Sequence, residues 1–352
     1  PLLMRAYVET RRDGWPAVDT LVRRLEAHLT TLTPAERAVL AGLEADLRGD
    51  LWGRLQAARE LMRLTPASVE GCTLAASSAL FVNRPREALV ILSRVDPDRG
   101  LLLVAPFYWI NQAPALHRLG DHRAELASAR QGLRRFPDRS STHLNLLTAL
   151  AALGDLDGLH REFPRLTRDD PDPGLAARQK SLWIWRELRA HGHAVAADRW
   201  LAEVLAQPPP NGTDSSLAGI LVEGDLLSSA GRWADARRAY ARALRHYRGT
   251  PVLLGRLGTA AAHLGDRAEA LRQDSDLAHL SRPYLFGSQT YARARIAAAL
   301  GDLATAVNLL RSAWAQGRPL AFDDRDNEDV HSDPEFDSLR DFFAFQMLMR
   351  TD

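Results

Sequence analysis

The apolar positions of this chain recur with helical spacing and are interrupted at near-regular intervals. In residues 230–244, bulky side chains fall at Trp233, Tyr240 and Leu244 and small ones at Ala236 and Ala243, which places both sets on a helix surface read every three or four residues. The punctuation is Gly14, Gly49, Asn83, Gly120, Gly154, Gly192, Gly231, Gly265 and Gly301, in steps of 35, 34, 37, 34, 38, 39, 34 and 36 residues. Each step holds two amphipathic stretches, so each unit predicts a helical hairpin, and a period of about 34 residues belongs to helix-turn-helix arrays. A lone hairpin leaves one apolar stripe bare, and its neighbour covers it. The expected fold is therefore all-α, a solenoid of about nine helix-turn-helix repeats.

Local signals support the hairpin boundaries. Gly-Asp recurs at 49–50, 120–121, 154–155, 265–266 and 301–302; the glycine ends one helix in the left-handed conformation and the aspartate caps the next. Thr33 and Glu36 are spaced as a capping box. Small residues are expected where the two helices of a hairpin approach; Leu159 and Glu125 stand at that position in the Gly154 and Gly120 units, which questions the helix spacing there. Turn-rich loops at 167–174 and 207–216 account for the two longest steps. The expected organisation is an N-terminal array over 1–206, a Pro-rich hinge at 207–216, C-terminal repeats over 217–319, and an acidic loop with a capping helix over 320–352. Leu339, Phe342, Phe343, Phe345, Met347 and Leu348 form the apolar face of that helix, which is expected to close the open end of the solenoid.

Composition narrows the function classes. With 352 residues, 46% apolar content and a net charge of +1, the chain can bury a large core and carries no overall excess of charge for nucleic acid or an anionic membrane. Residues 323–337 are the exception, with eight acids and one arginine. Cys72 is the one cysteine, which excludes an internal disulfide and a thiolate metal cluster; its apolar helical setting predicts a core residue. The longest apolar run, 101–110, contains Pro106 and is too short to span a bilayer. The compartment is undetermined. The chain starts at Pro1, as expected of a fragment or processed form whose partner domain lies elsewhere.

In register, the repeats resemble the tetratricopeptide repeat family. Gly224, Gly231, Trp233, Ala236, Tyr240, Ala243 and Leu244 match its small, turn, aromatic and apolar positions; Leu254, Leu257, Gly258, Gly265 and Ala270 match in the next unit, and Pro66, Pro137, Pro171 and Pro209 fall at its terminator position. Residues 331–340, with the segments after Asn83 and Leu119, are also similar to the C-terminal repeat (sensor) region of bacterial Ser/Thr protein kinases. That second resemblance implies an upstream kinase or regulatory domain as a partner within a longer chain; no kinase motif occurs in this sequence.

Few residues suggest chemistry. Asp324, Asp326, Glu328 and Glu335 approach the spacing of a calcium loop, but Asp329 stands where the turn glycine belongs, so a solvated acidic loop, salt-bridged to Arg340, is the expectation. His191 and His193 flank a turn glycine and no His-Glu-x-x-His spacing exists, so no metal and no other cofactor is expected. Phosphate loops and nucleophile elbows are absent, and no catalytic residue or enzymatic activity is expected. What remains is the concave face, which the resemblance assigns to the first helix of each hairpin. Its inward positions include Phe107, Ile110, His117, Arg186, Arg189, Asp225, Tyr291 and Arg295. This set predicts a groove for a protein or peptide segment, with guanidinium groups on carboxylates and rings on apolar side chains. The alternatives are a ligand-sensing regulatory domain of a kinase or transcriptional regulator, and a helical-repeat enzyme or metal site, which converging histidines or carboxylates would favour.

Overall fold

The computed structural model describes residues 2–10, 12, 14–66, 68–166, 172–210, 216–320 and 329–352. Among them, nine helical hairpins follow one another: α1 (Leu2–Thr10) with α2 (Trp15–Glu26), α3 (Pro34–Arg48) with α4 (Leu51–Leu64), α5 (Val69–Phe81) with α6 (Pro85–Leu92), α7 (Trp109–Arg118) with α8 (His122–Arg135), α9 (Ser140–Ala152) with α10 (Leu156–Leu166), α11 (Pro173–Ala190) with α12 (Ala194–Leu205), α13 (Leu217–Ser229) with α14 (Trp233–Leu244), α15 (Pro251–His263) with α16 (Arg267–His279), and α17 (Ser288–Ala299) with α18 (Leu303–Ala315). A 3-10 turn (Pro334–Leu339) and α19 (Phe343–Met349) close the chain, and no strand is present among the described residues. No described helix is long and apolar enough to cross a membrane.

The helix ends obey the local chemistry. The Thr33 hydroxyl accepts from the Glu36 amide at 3.2 Å while Glu36 accepts from the Thr33 amide at 2.8 Å. Asp50, Asp121, Asp155, Asp266 and Asp302 each accept from the amide three residues on. A cap of this kind is worth about 1 kcal/mol. The turn residues from Gly49 to Gly301 are left-handed, including Asn83 at φ 58°. Gly14 departs from the pattern with φ −76°.

Packing then links the hairpins. Ala236, Tyr240 and Ala243 are buried between neighbours, and Tyr240 lies against Gly224, where an added Cβ would sit 2.3 Å from its Cε1. The units with Leu159 and Glu125 pair like the rest: Leu159 is fully buried in the core, and Glu125 is buried at 1% exposure. One continuous core runs from Ala129 on α8 through Leu188 on α11 to Leu226 on α13. It includes residues of α11 and α13, on either side of the expected hinge at 207–216, of which 211–215 lie outside the described residues.

The array curls until its ends meet. Trp15 packs on Phe286 with ring centroids 4.7 Å apart, and Trp314 lies against the core that holds Cys72 and Ala76. Gly49 faces Gly317 so closely that a Cβ on Gly49 would meet the Gln316 carbonyl at 2.4 Å. Phe336, Leu339, Phe345 and Leu348 cover the α17–α18 core as a cap should. Two residues of the expected apolar face, Phe343 and Met347, are exposed instead, because the tail also turns back toward α5 and α6. There the Asn83 amide donates to the Met349 carbonyl at 3.0 Å, and the Asp352 carboxylate accepts from the Arg86 and Glu87 amides at 3.0 and 3.1 Å.

The Gly224–Tyr240 contact makes a direct prediction. Gly224→Ala, although it raises helix propensity, is expected to cost about 1–3 kcal/mol in urea unfolding through overpacking. Gly231→Ala, with φ 73° and open space around it, is expected to cost about 1 kcal/mol through backbone strain alone.

Candidate functional site

The concave face carries three charged assemblies, each built from different hairpins. The first is centred on Asp225 of α13. Arg256 of α15 donates to both its oxygens at 2.6 and 2.8 Å, Arg186 of α11 donates at 3.3 Å, and the Tyr240 hydroxyl donates at 2.7 Å. Burial opposes the Asp225 charge, but the Arg256 and Arg186 guanidinium groups outweigh it and hold the carboxyl below the usual range. Arg186, expected as a groove residue, is largely buried in this ion-pair network and also lines an adjoining cleft.

The second assembly joins the first helices to the chain's own C-terminal segment. Asp333 accepts from the Tyr291 hydroxyl at 2.6 Å and from Arg295 at 2.5 Å. Glu335 contacts His263 Nε2 at 2.9 Å, Asp337 accepts from Arg189 at 3.2 Å, and Asp329 accepts from Arg118 at 3.0 Å. The 3-10 turn lies against α11 and α17. Arg189, Tyr291 and Arg295, expected to line a groove for a peptide segment, thus contact residues 333–337 of this chain. The calcium-like reading fares differently: Asp324, Asp326 and Glu328 lie outside the described residues, Glu335 is engaged by His263, and Arg340 does pair with an acid of this segment, donating to Asp337 at 2.9 Å.

Beside this segment lies an open cleft of about 460 Å³, bordered by Trp185, Arg189, Trp233, His263, Glu335 and Asp337. Trp233 stacks on His263 at 3.8 Å with the rings 8° from parallel. Of the two aromatic residues that the repeat resemblance identifies in this unit, Tyr240 is buried between hairpins, whereas Trp233 forms a wall of the cleft. Phe107 and Ile110 stand at the start of α7, half-buried, and do not border the cleft.

The third assembly is a cluster of imidazoles and carboxylates. His117 near the end of α7 contacts both oxygens of Glu125 through Nδ1 at 3.1 Å and Glu187 of α11 through Nε2 at 3.3 Å. His122 contacts Glu125 through Nδ1 at 2.9 Å, and His191 donates through Nδ1 to the Glu187 carbonyl at 2.9 Å. One potential ligand atom from each of His117, His122 and His191 falls within 4.8 Å of the others. Burial works against a charge on His117, but its bonds to Glu125 and Glu187 outweigh that and raise it to about 10. Burial also opposes the Glu187 charge, yet His117 holds it down to about 2. His331 covers the cluster, its ring 5.4 Å from that of His191, and burial lowers it to about 3.

His191 and His193, which flank Gly192, do not converge: His193 contacts the Ala152 carbonyl at 3.0 Å, while His191 meets His117 and His122 from another hairpin, a convergence the sequence did not anticipate. No spacing motif could announce this set, because its members come from α7, α8 and the end of α11. One signal was present: Glu125 occupies a position where a small residue was expected, and the side chain that replaces it is the one the histidines share. Glu187, Arg256 and His263 carried no such mark.

No family model matches the chain, and no curated protein does. Among solved structures the chain is similar to a tetratricopeptide repeat protein from Parabacteroides merdae, 14% identical over 81% of this chain and 93% of that one, TM-score 0.38. It is also similar to the APC/C hetero-tetramer Cut9–Hcn1, 14% identical over 85% of this chain and 57% of that one, TM-score 0.39. A third is the human IFIT1 dimer with PPP-AAAA, 15% identical over 83% and 70%, TM-score 0.33. The fold described above rests on the helices and their packing rather than on these likenesses.

The Asp225 network yields two measurements. Asp225→Ala leaves two buried guanidinium groups without their shared carboxylate, and is expected to cost about 3–5 kcal/mol in chemical unfolding. Because the folded pKa lies below the unfolded value of about 3.9, the carboxylate's contribution is complete above that pH and is lost as pH falls through the folded value. Protection of α13 and α15 against hydrogen exchange, relative to the intrinsic rate at each pH, is therefore expected to fall only below about pH 4.

Proposed function

We propose that this chain is a protein-binding repeat scaffold whose concave face takes an acidic segment, as it takes its own residues 329–340. The observation that carries this reading is the alignment of basic and hydroxyl anchors from four hairpins along one segment: Arg118 on Asp329, Arg295 and Tyr291 on Asp333, His263 on Glu335, and Arg189 on Asp337. Charge-assisted bonds of this kind fix orientation as well as affinity. Phe336, buried in the α17–α18 core, supplies the apolar anchor between the acids.

The partner is accordingly a protein segment that combines carboxylates at short intervals with one aromatic residue, and it competes with the resident segment for the same anchors. Trp185, Trp233 and Arg189, which border the cleft beside the segment, offer further contact area to a longer peptide. Net charge does not extend to this face, where arginines are gathered and matched one by one with carboxylates; competition by RNA belongs among the measured controls. No observation favours the kinase-sensor reading over this one.

The test uses a labelled peptide of residues 329–340 in fluorescence polarisation against the full chain carrying Asp333→Asn and Phe336→Ala, which loosen the resident segment. Saturable binding is expected, at least tenfold weaker when Arg295→Ala is added and weaker to the unmodified chain, whose own segment competes. Absence of binding to the loosened chain, with helicity retained by circular dichroism, would reject the reading.

A further inference from the structure

We propose that His117, His122 and His191, with Glu187 as a fourth donor, form a binding site for a divalent transition metal ion of the zinc class, and that Glu125 orients two of the three imidazoles. This inference is independent of what the groove binds.

The hydrogen bonds divide the ring nitrogens in the way a metal site requires. Both His117 and His122 use Nδ1 on the Glu125 carboxylate, and His191 uses Nδ1 on the Glu187 carbonyl. An oxygen acceptor on one ring nitrogen, carboxylate or backbone carbonyl, is what fixes ring orientation and raises basicity at the other nitrogen in metal-bound histidines. His122 and His191 therefore keep Nε2 as the atom for an ion, and His117 would turn to it the Nε2 that now faces Glu187 at 3.3 Å. Glu187 Oε2 lies 3.3 Å from His117 Nε2, is buried, and accepts no well-aligned hydrogen bond. That oxygen faces imidazole nitrogens of His117 and His191 at 3.3 and 3.7 Å, and a cation at the centre of the cluster would engage the same carboxylate.

The donor set selects the class of ion. Three imidazoles and one carboxylate suit zinc, cobalt or nickel rather than magnesium or calcium, which take oxygen donors. The charge also balances: a divalent ion that displaces the His117 proton leaves two carboxylates and three neutral imidazoles, a neutral set, which a buried site favours. Potential ligand atoms within 4.8 Å of one another need to draw in by about 1 Å for a tetrahedral site with bonds of about 2.0–2.1 Å. The rings sit at helix ends, His117 and His191 at the last turns of α7 and α11 and His122 at the first of α8, where such adjustment is least opposed by packing. His331, over the cluster on the C-terminal segment, would be brought closer by that contraction. An ion here would tie the fourth hairpin to the sixth.

The test is titration of the chelator-treated full chain with cobalt and with zinc. Cobalt is expected to bind in one equivalent with the intense visible bands of four-coordinate nitrogen and oxygen ligation, to be displaced by zinc, and zinc is expected to raise the thermal midpoint. His122→Ala and His191→Ala should each weaken cobalt binding at least 100-fold, while His160→Ala, on α10, leaves it unchanged. Glu125→Gln should keep the stoichiometry and weaken affinity about 10–100-fold. Absence of cobalt bands and of a zinc-induced midpoint shift in the unmodified chain overturns the proposal, and so do bands that persist in a folded His122→Ala, His191→Ala double variant. Should either variant fail to fold, the unmodified chain alone decides.

Discussion

No hairpin in this chain can cover its own apolar stripe, and the whole architecture follows from that constraint. Burial of a leucine such as Leu188 or Leu226 contributes about 1.5–3 kcal/mol, but each is buried only because the next hairpin lies over it. Close approach is needed for this, and the small residues at Gly224, Ala236 and Ala243 provide it, with Tyr240 filling the space that Gly224 leaves. Small rotations between successive hairpins then add up until Gly49 meets Gly317 and Trp15 meets Phe286. A solenoid whose ends touch has an interior, and this one places charge in it.

The interior charges are paired across hairpins rather than along them. Asp225 on α13 takes Arg186 from α11 and Arg256 from α15, and Asp333 takes Tyr291 and Arg295 from α17. Desolvating such groups is costly, and the cost is offset only when every partner is in place. The concave face is thus registered by its charges while its outer layers are registered by apolar packing. The C-terminal segment belongs to both systems, through Phe336 and Leu339 in the core and through Asp329, Asp333, Glu335 and Asp337 on the arginines and His263. The histidine cluster sits where that segment crosses α7 and α11, so an ion there would act on the same junction.

Much of the fold was legible in the sequence because helix periodicity and turn chemistry act over a few residues. The five Gly-Asp turns, the Thr33 capping box and the nine hairpins need no knowledge of distant contacts. The candidate site was legible only in part. His117, Arg189, Tyr291 and Arg295 were identified as inward-facing, but what they face was not, since the acids that meet Arg189 and Arg295 lie about 40 to 150 residues away along the chain. Trp233 illustrates the limit: it stands two helical turns before Tyr240 on α14, yet Tyr240 is a joint and Trp233 stacks on His263 at the edge of a cleft.

By itself, the sequence determined the unit, its ends and its period, because each depends on spacings shorter than one hairpin. Only the tertiary structure decided that the solenoid meets itself, that its groove is taken by residues 329–340, and that His117, His122 and His191 converge. Those outcomes depend on the sum of many small inter-hairpin rotations, and no local pattern carries a sum.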